Sequence, residues 1–202
     1  MSDETNSPPP GPSQPSGDPG LYSQQVQHTP VSARLPERVA PGVFCTGVIV
    51  VEGAEEFVLD FVQGLHRPPR VGARVVMTPN VAAQFVAALR ENLQRYEQAF
   101  GPPKPLPQPP LERRPSVQEI YQDLRLPDEI LSGVYANTVM IGHSPSEFFF
   151  DFITRFFPTA AVSARVYMAA SQVPKMLAAI ASSVQNRINR GSDPRRGPPP
   201  AP

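Results

Sequence analysis

The sequence predicts an α+β protein of two tandem β-β-β-α units, packed on each other as an intramolecular pseudo-dimer and carried between disordered proline-rich tails. Three observations predict it. The chain of 202 residues repeats itself at an offset of 91. Within each copy the apolar periodicity changes once, from that of a strand to that of a helix. A single copy, one helix on one three-stranded sheet, is a thin core that needs cover from its neighbour.

Sliding the sequence on itself aligns Arg34 to Glu97 with Arg125 to Ile188 without a gap, and 18 of the 64 pairs are identical. Average residue usage gives roughly 4 by chance. Arg34-Leu35-Pro36 falls on Arg125-Leu126-Pro127, Gly42-Val43 on Gly133-Val134, Asp60-Phe61 on Asp151-Phe152 and Ala73-Arg74-Val75 on Ala164-Arg165-Val166. Two copies rather than many argue against a solenoid.

The elements follow in order. Phe44, Thr46, Val48 and Val50 alternate with Val43, Cys45 and Ile49, and Tyr135 to Ile141 does the same, which predicts a first strand in each copy. Glu52-Gly53-Ala54 and His143-Ser144-Pro145 break it as turns. Second strands are predicted at Phe57 to Val62 and Phe148 to Ile153, with Phe148, Phe150 and Phe152 on one face and Asp151 on the other. A proline-containing loop leads to third strands at Val71 to Met77 and Val162 to Met168. Thr78-Pro79 then supplies an N-cap and first helical residue, and Ala82, Phe85, Val86, Leu89, Leu93 and Tyr96 recur at helical spacing. Copy two repeats the stripe with Val173, Met176, Leu177, Ile180, Val184 and Ile188. A further helix, Ser116 to Leu126, has a capping box with Glu119 and an apolar stripe of Val117, Ile120, Tyr121 and Leu124; it is expected to lie across the joint of the two copies.

Most of the 28 prolines fall outside the two units, in residues 1–33, 98–124 and 189–202, which read as disordered or polyproline-like tails and linker. The acidic opening Met-Ser-Asp-Glu is not a secretory signal, and Asp151 and Arg155 interrupt the Phe-rich run before it reaches the length of a membrane span. One cysteine, Cys45, allows no internal disulfide and points to a reducing cytoplasm. Charge is zero, from 18 basic and 18 acidic side chains, only two of them lysines. That balance excludes a strongly basic nucleic-acid binder.

Chemistry is sparse. His28, His66, His143 and Cys45 lack ligand spacing, so no metal is expected, and neither a phosphate loop nor a carboxylate cluster points to a cofactor or a reaction. His143 and Glu147 face each other across a turn, where a hydrogen bond to the backbone is the plainer role for the imidazole. Hairpins centred at Arg67 and Pro158 place Asp60 opposite Arg74 and Asp151 opposite Arg165, predicting two cross-strand ion pairs on the less apolar face. If exposed, each contributes some tenths of a kcal/mol; the sharper alternative is an arginine held by aspartate towards a ligand or partner. Arg113-Arg114-Pro115-Ser116 has the form of a basophilic phosphorylation site at a helix start, although capping alone explains Ser116. The Phe148 to Phe157 cluster is read as core rather than as a base-stacking platform.

Copy two resembles the bacterial domain of unknown function 3467 family through Leu126-Pro127, Gly133-Val134-Tyr135-Ala136-Asn137, His143 to Phe148, Asp151-Phe152 and Ser163-Ala164-Arg165-Val166. Copy one resembles it best in Ala73-Arg74-Val75, Met77-Thr78-Pro79, Ala88-Leu89, Asn92 and Tyr96-Glu97. The resemblance implies no reaction, ligand or partner. A weaker, fold-level likeness is to paired single-stranded nucleic-acid modules of the transcriptional-coactivator type.

Measured against that family pattern, copy two keeps the turn His143 to Glu147 and copy one keeps the helix end Asn92, Tyr96 and Glu97. These complementary losses predict one composite interaction site, His143, Ser144 and Glu147 against Asn92, Tyr96 and Glu97, with the reciprocal site decayed. The function expected is a non-enzymatic protein-interaction or assembly module, with further self-association open. Its rival is single-stranded nucleic-acid binding through the sheet of copy two, which exposed aromatics beside Arg155, Arg165, Arg187 and Arg190 would favour.

Overall fold

The computed structural model describes residues 33–65, 67–105, 107, 116–156 and 158–191. Of the tails read as disordered, 1–33 and 189–202, residues 1–32 and 192–202 lie outside the described residues, as do Arg113, Arg114 and Pro115, while 189–191 are not tail but the last turn of a helix. Copy one supplies strands β1 (Val43–Cys45), β2 (Gly47–Glu52), β3 (Phe57–Gln63) and β4 (Arg70–Met77) and helix α1 (Pro79–Phe100). Helix α2 (Val117–Gln122) follows, shorter than predicted. Copy two supplies β5 (Val134–Tyr135), β6 (Thr138–His143), β7 (Glu147–Thr154), β8 (Ala161–Ala169) and α3 (Val173–Gly191). The α+β class, the two-unit layout and the pseudo-dimer all stand.

The first strand of each copy is not one strand but two. β1 leaves its own copy and pairs in parallel with β8, Val43 opposite Val166 and Cys45 opposite Met168, while β2 pairs with β3. Copy two does the reverse: β5 pairs in parallel with β4 and β6 with β7. Two four-stranded sheets result, sheet A in the order β1-β8-β7-β6 and sheet B in the order β2-β3-β4-β5. The exchange begins further upstream, where Arg34 bridges Ala161 and Arg125 bridges Arg70.

The switch occurs at Thr46 and Asn137, and their polar side chains fit it. Thr46 Oγ1 accepts from Gly64 N at 3.0 Å, and Asn137 Oδ1 accepts from Arg155 N at 2.8 Å, so each satisfies a backbone donor left at the end of the neighbouring hairpin. The residues just before them, Cys45 and Ala136, are small and fully buried where the sheets approach.

The helices are exchanged too. α1 packs on sheet A, with Phe85 edge-on to Phe150 and Phe152 at 5.9 and 5.6 Å; α3 packs beside β2 of sheet B and against α1. Phe61 and Phe152, equivalent positions of the two copies, meet at 5.2 Å. One apolar core joins both sheets and both long helices, with Phe57, Phe61, Phe148, Phe150 and Phe152 completely buried.

Candidate functional site

The expected composite of turn and helix end is assembled in part. β6 and β7 present the turn His143 to Glu147 to the end of α1, where the Tyr96 hydroxyl donates to the Pro145 carbonyl at 2.8 Å. The Tyr96 ring lies 5.6 Å from His143 and 5.2 Å from Phe148, and Phe100 closes the far side of the imidazole at 6.2 Å. Within the turn Ser144 Oγ donates to Glu147 Oε1 at 2.7 Å and accepts from the Ser146 and Glu147 amides. Asn92 bonds back to Ala88 O of its own helix and Glu97 is exposed, so neither is brought to the turn.

Two expectations about this site are corrected. His143 makes no turn hydrogen bond through Nδ1, which is buried without a partner because aromatic rings surround it. Nor has the reciprocal site decayed. Arg187 takes over at the end of α3 and donates to Gly53 O at 2.9 Å and to Ala54 O and Glu52. Its guanidinium also sits 5.9 Å over Phe57. Arg187 occupies the position equivalent to Tyr96 at the repeat offset, so the junction persists with the hydroxyl replaced by a cation. The signal in the sequence was an arginine at the repeat position that tyrosine holds in copy one.

The predicted ion pairs form as bidentate pairs. Arg74 Nε and Nη2 reach Asp60 at 2.7 Å each, and Arg165 Nε and Nη2 reach Asp151 at 2.6 and 2.7 Å. They are not exposed pairs: Asp60 is 0% and Asp151 1% accessible. α2 explains the first. It lies on the outer face of sheet B rather than across the joint, capped as expected by Ser116 and Glu119, and the Tyr121 hydroxyl donates to Asp60. Burial, then that hydrogen bond, push the Tyr121 hydroxyl up to about 12. Arg74 in turn donates to Leu131 O at 2.9 Å, and the Asp60 hydrogen bond raises its guanidinium above the usual arginine range.

The reciprocal strand exchange and the two matching buried ion pairs make the two halves equivalent. The family model described as "protein of unknown function (DUF3467)" matches residues 16–104 and 112–187, two tandem copies. The chain belongs to the DUF3467 family. No curated protein matches it.

The outer face of sheet A was missed as a unit by sequence reasoning. Around the Asp151–Arg165 pair of this DUF3467 chain, Phe44, Tyr167 and Phe149 line up across β1, β8 and β7, with Phe149 and Tyr167 6.5 Å apart and Arg165 5.8 Å over Phe149. Phe44 is 44% and Met140 of the edge strand β6 50% exposed. No described helix covers this face, because α1 and α3 lie in the core and α2 is on sheet B. The Phe cluster therefore divides, with Phe148, Phe150 and Phe152 in the core and Phe149 on this outer face, while Phe156 is exposed and stacks on Tyr135. Phe157 lies outside the described residues.

Proposed function

We propose that the DUF3467 chain is a non-enzymatic protein-interaction module that docks a short amphipathic helix of a partner protein on the outer face of sheet A. One observation carries this. The two sheets are equivalent by duplication, and the outer face of sheet B is occupied by a short helix whose tyrosine bonds the buried aspartate, whereas no described element covers the twin face, where Phe44 and Met140 are half exposed. The partner helix has the apolar face of α2, set against Met140, Phe149 and Tyr167. At the position equivalent to Tyr121 this chain has Pro30, so copy one does not repeat the α2 tyrosine.

The non-enzymatic reading is supported by how the reactive side chains are used. Burial pushes the Cys45 thiol up to about 12, far from a reactive thiolate. Ser144 is tied to Glu147, and His143 is packed among rings. Among the described residues no three His, Cys, Asp or Glu side chains group for a metal. A protein rather than a nucleic-acid partner is favoured because, of the four arginines in question, Arg165, Arg187 and Arg190 are each engaged with Asp151 or Glu52, and the exposed Arg155 alone does not make a cationic track. No described helix is long and apolar enough to cross a membrane, and a cytoplasmic home rests on the single reduced cysteine.

The test is affinity capture from the native cytosol with the full chain and with Met140→Glu, each with and without nuclease. A protein retained after nuclease treatment, lost from Met140→Glu and binding through a helical segment is expected. Identical capture by the two forms, or complete release by nuclease, rejects the reading.

A further inference from the structure

A second feature adjoins the outer face of sheet A at Phe44. Where the β3–β4 hairpin meets the chain leaving α2, a groove of about 400 Å³ is lined by Phe44, Gln63, Leu65, Arg67, Arg70 and Arg125. Among the described residues it contains three guanidinium groups and no carboxylate. None of the three arginines has an acidic partner among the described residues.

Two of these cations are forced together by the backbone. Arg70 stands directly opposite Arg125 in a parallel bridge, fixed by Val71 N to Arg125 O and Arg125 N to Pro69 O, both 2.9 Å. Like charges opposed across strands destabilise a sheet. The fold itself does not require this pairing. In the equivalent bridge of the other half Arg34 faces Ala161, and the position equivalent to Arg67 is Pro158. Arg70 is also oriented: its Nε donates to Gln63 Oε1 at 2.7 Å, and Gln63 Nε2 donates to Phe44 O at 3.2 Å. That relay spends Nε on the protein and leaves the two Nη groups for a ligand. An unneutralised, oriented arginine group is the geometry that recognises a phosphate. Beside it Phe44 is 44% and Leu65 73% exposed, a flat apolar surface of the kind on which a base stacks.

We propose that this groove binds a nucleotide: Arg67, Arg70 and Arg125 hold the phosphate and the Phe44 ring receives the base. The site shares Phe44 with the face proposed for helix docking but not Met140, so Met140→Glu tests docking alone and Arg67→Ala and Arg70→Ala test this groove alone. The shared chemistry is a base linked to a phosphate, whether in a free nucleotide or at the end of a single strand.

The full chain is titrated calorimetrically with adenosine monophosphate, inorganic phosphate, adenosine and a 5′-phosphorylated oligothymidylate. Saturable binding of the monophosphate is expected, weaker binding of phosphate and none of adenosine. Arg67→Ala and Arg70→Ala should each weaken the monophosphate about tenfold. Phe44→Ala should weaken the monophosphate while sparing inorganic phosphate. Tighter binding of the oligonucleotide than of the monophosphate assigns the site to a strand end, and equal binding assigns it to free nucleotide. Both arginines are exposed, so their variants should fold. Arg70→Ala, relieved of its opposed charge, should melt no lower than the parent without ligand and lose the rise in melting temperature that phosphate gives the parent. Absence of saturation by every phosphate-bearing probe at roughly millimolar concentration, or unchanged affinity in the Arg67→Ala/Arg70→Ala double variant, overturns the proposal.

Discussion

Asp60 receives three hydrogen bonds in a site without access to water, two from Arg74 and one from Tyr121, and the charge on its carboxylate is tolerable only because all three are present. Removing one partner of such a pair leaves a buried charge alone. Arg74→Ala is therefore expected to destabilise the fold by about 3 to 5 kcal/mol in urea unfolding, well beyond the tenths of an exposed pair. A loss under ~1 kcal/mol would show that water reaches Asp60. Tyr121 gives a second expectation, with a pH dependence. Its hydroxyl titrates near 10 when unfolded and is pushed up to about 12 in the fold, so its contribution is complete below about 10 and is lost as pH rises from there towards 12. Cys45, raised from near 9 to about 12 by burial, adds a fall of the same sign that begins earlier. Tyr121→Phe should flatten the upper part of the alkaline stability profile and leave the part due to Cys45. The pairing of Asp60 with Arg74 was legible in the sequence because a hairpin fixes its own register. The depth of the pair was not, because the residue that covers it, Tyr121, comes from a helix far along the chain.

At the scale of elements, the inner faces of β3 and β7 carry the core. Phe57 and Phe148 are completely buried at equivalent places in the two sheets, and truncation of either to alanine is expected to cost about 3 to 5 kcal/mol by thermal or urea unfolding. A cost below ~1 kcal/mol at either site would mean that the ring is not packed as described. The strands, their order along the chain and the two long helices were all readable from alternation and helical spacing. The break of the first strand at Thr46 was not. Side chains continue to alternate through β1, Thr46 and β2, and alternation reports only which face a residue occupies, not which neighbour its backbone bonds. A hint was present in the small Cys45 and Ala136 followed by Thr46 and Asn137, a buried close approach followed by a polar side chain that repairs the backbone. It becomes meaningful only once both copies are seen to share it. The capping box of α2 was equally plain, but a box specifies where a helix starts and says nothing of the surface it will occupy.

The molecule as a whole is held together by exchange, and this bears on what one copy can do alone. A chain of residues 33–105 retains β1 to β4 and α1, yet β1 has lost β8, α1 has lost sheet A with Phe150 and Phe152, and the inner face of sheet B has lost α3. Every loss exposes apolar surface or an unpaired strand, and a unit of this size has little stability to spare. A second molecule of the same fragment supplies each missing part, because the sites are equivalent by duplication: its fourth strand for β8, its helix for α3, its Phe61 for Phe152. The fragment is thus expected to fold only as a dimer, with a melting temperature that rises with concentration. When it is mixed with a fragment of residues 116–191, the 1:1 pair should displace the homodimer. Only that pair recreates both Tyr96 against Pro145 and Arg187 against Gly53, and only it brings Tyr121 to Asp60. Size-exclusion chromatography and circular-dichroism melting across a range of concentrations measure both effects. A fragment 33–105 that is monomeric and melts cooperatively at a temperature independent of concentration would show that exchange is dispensable, and that each copy closes its own core.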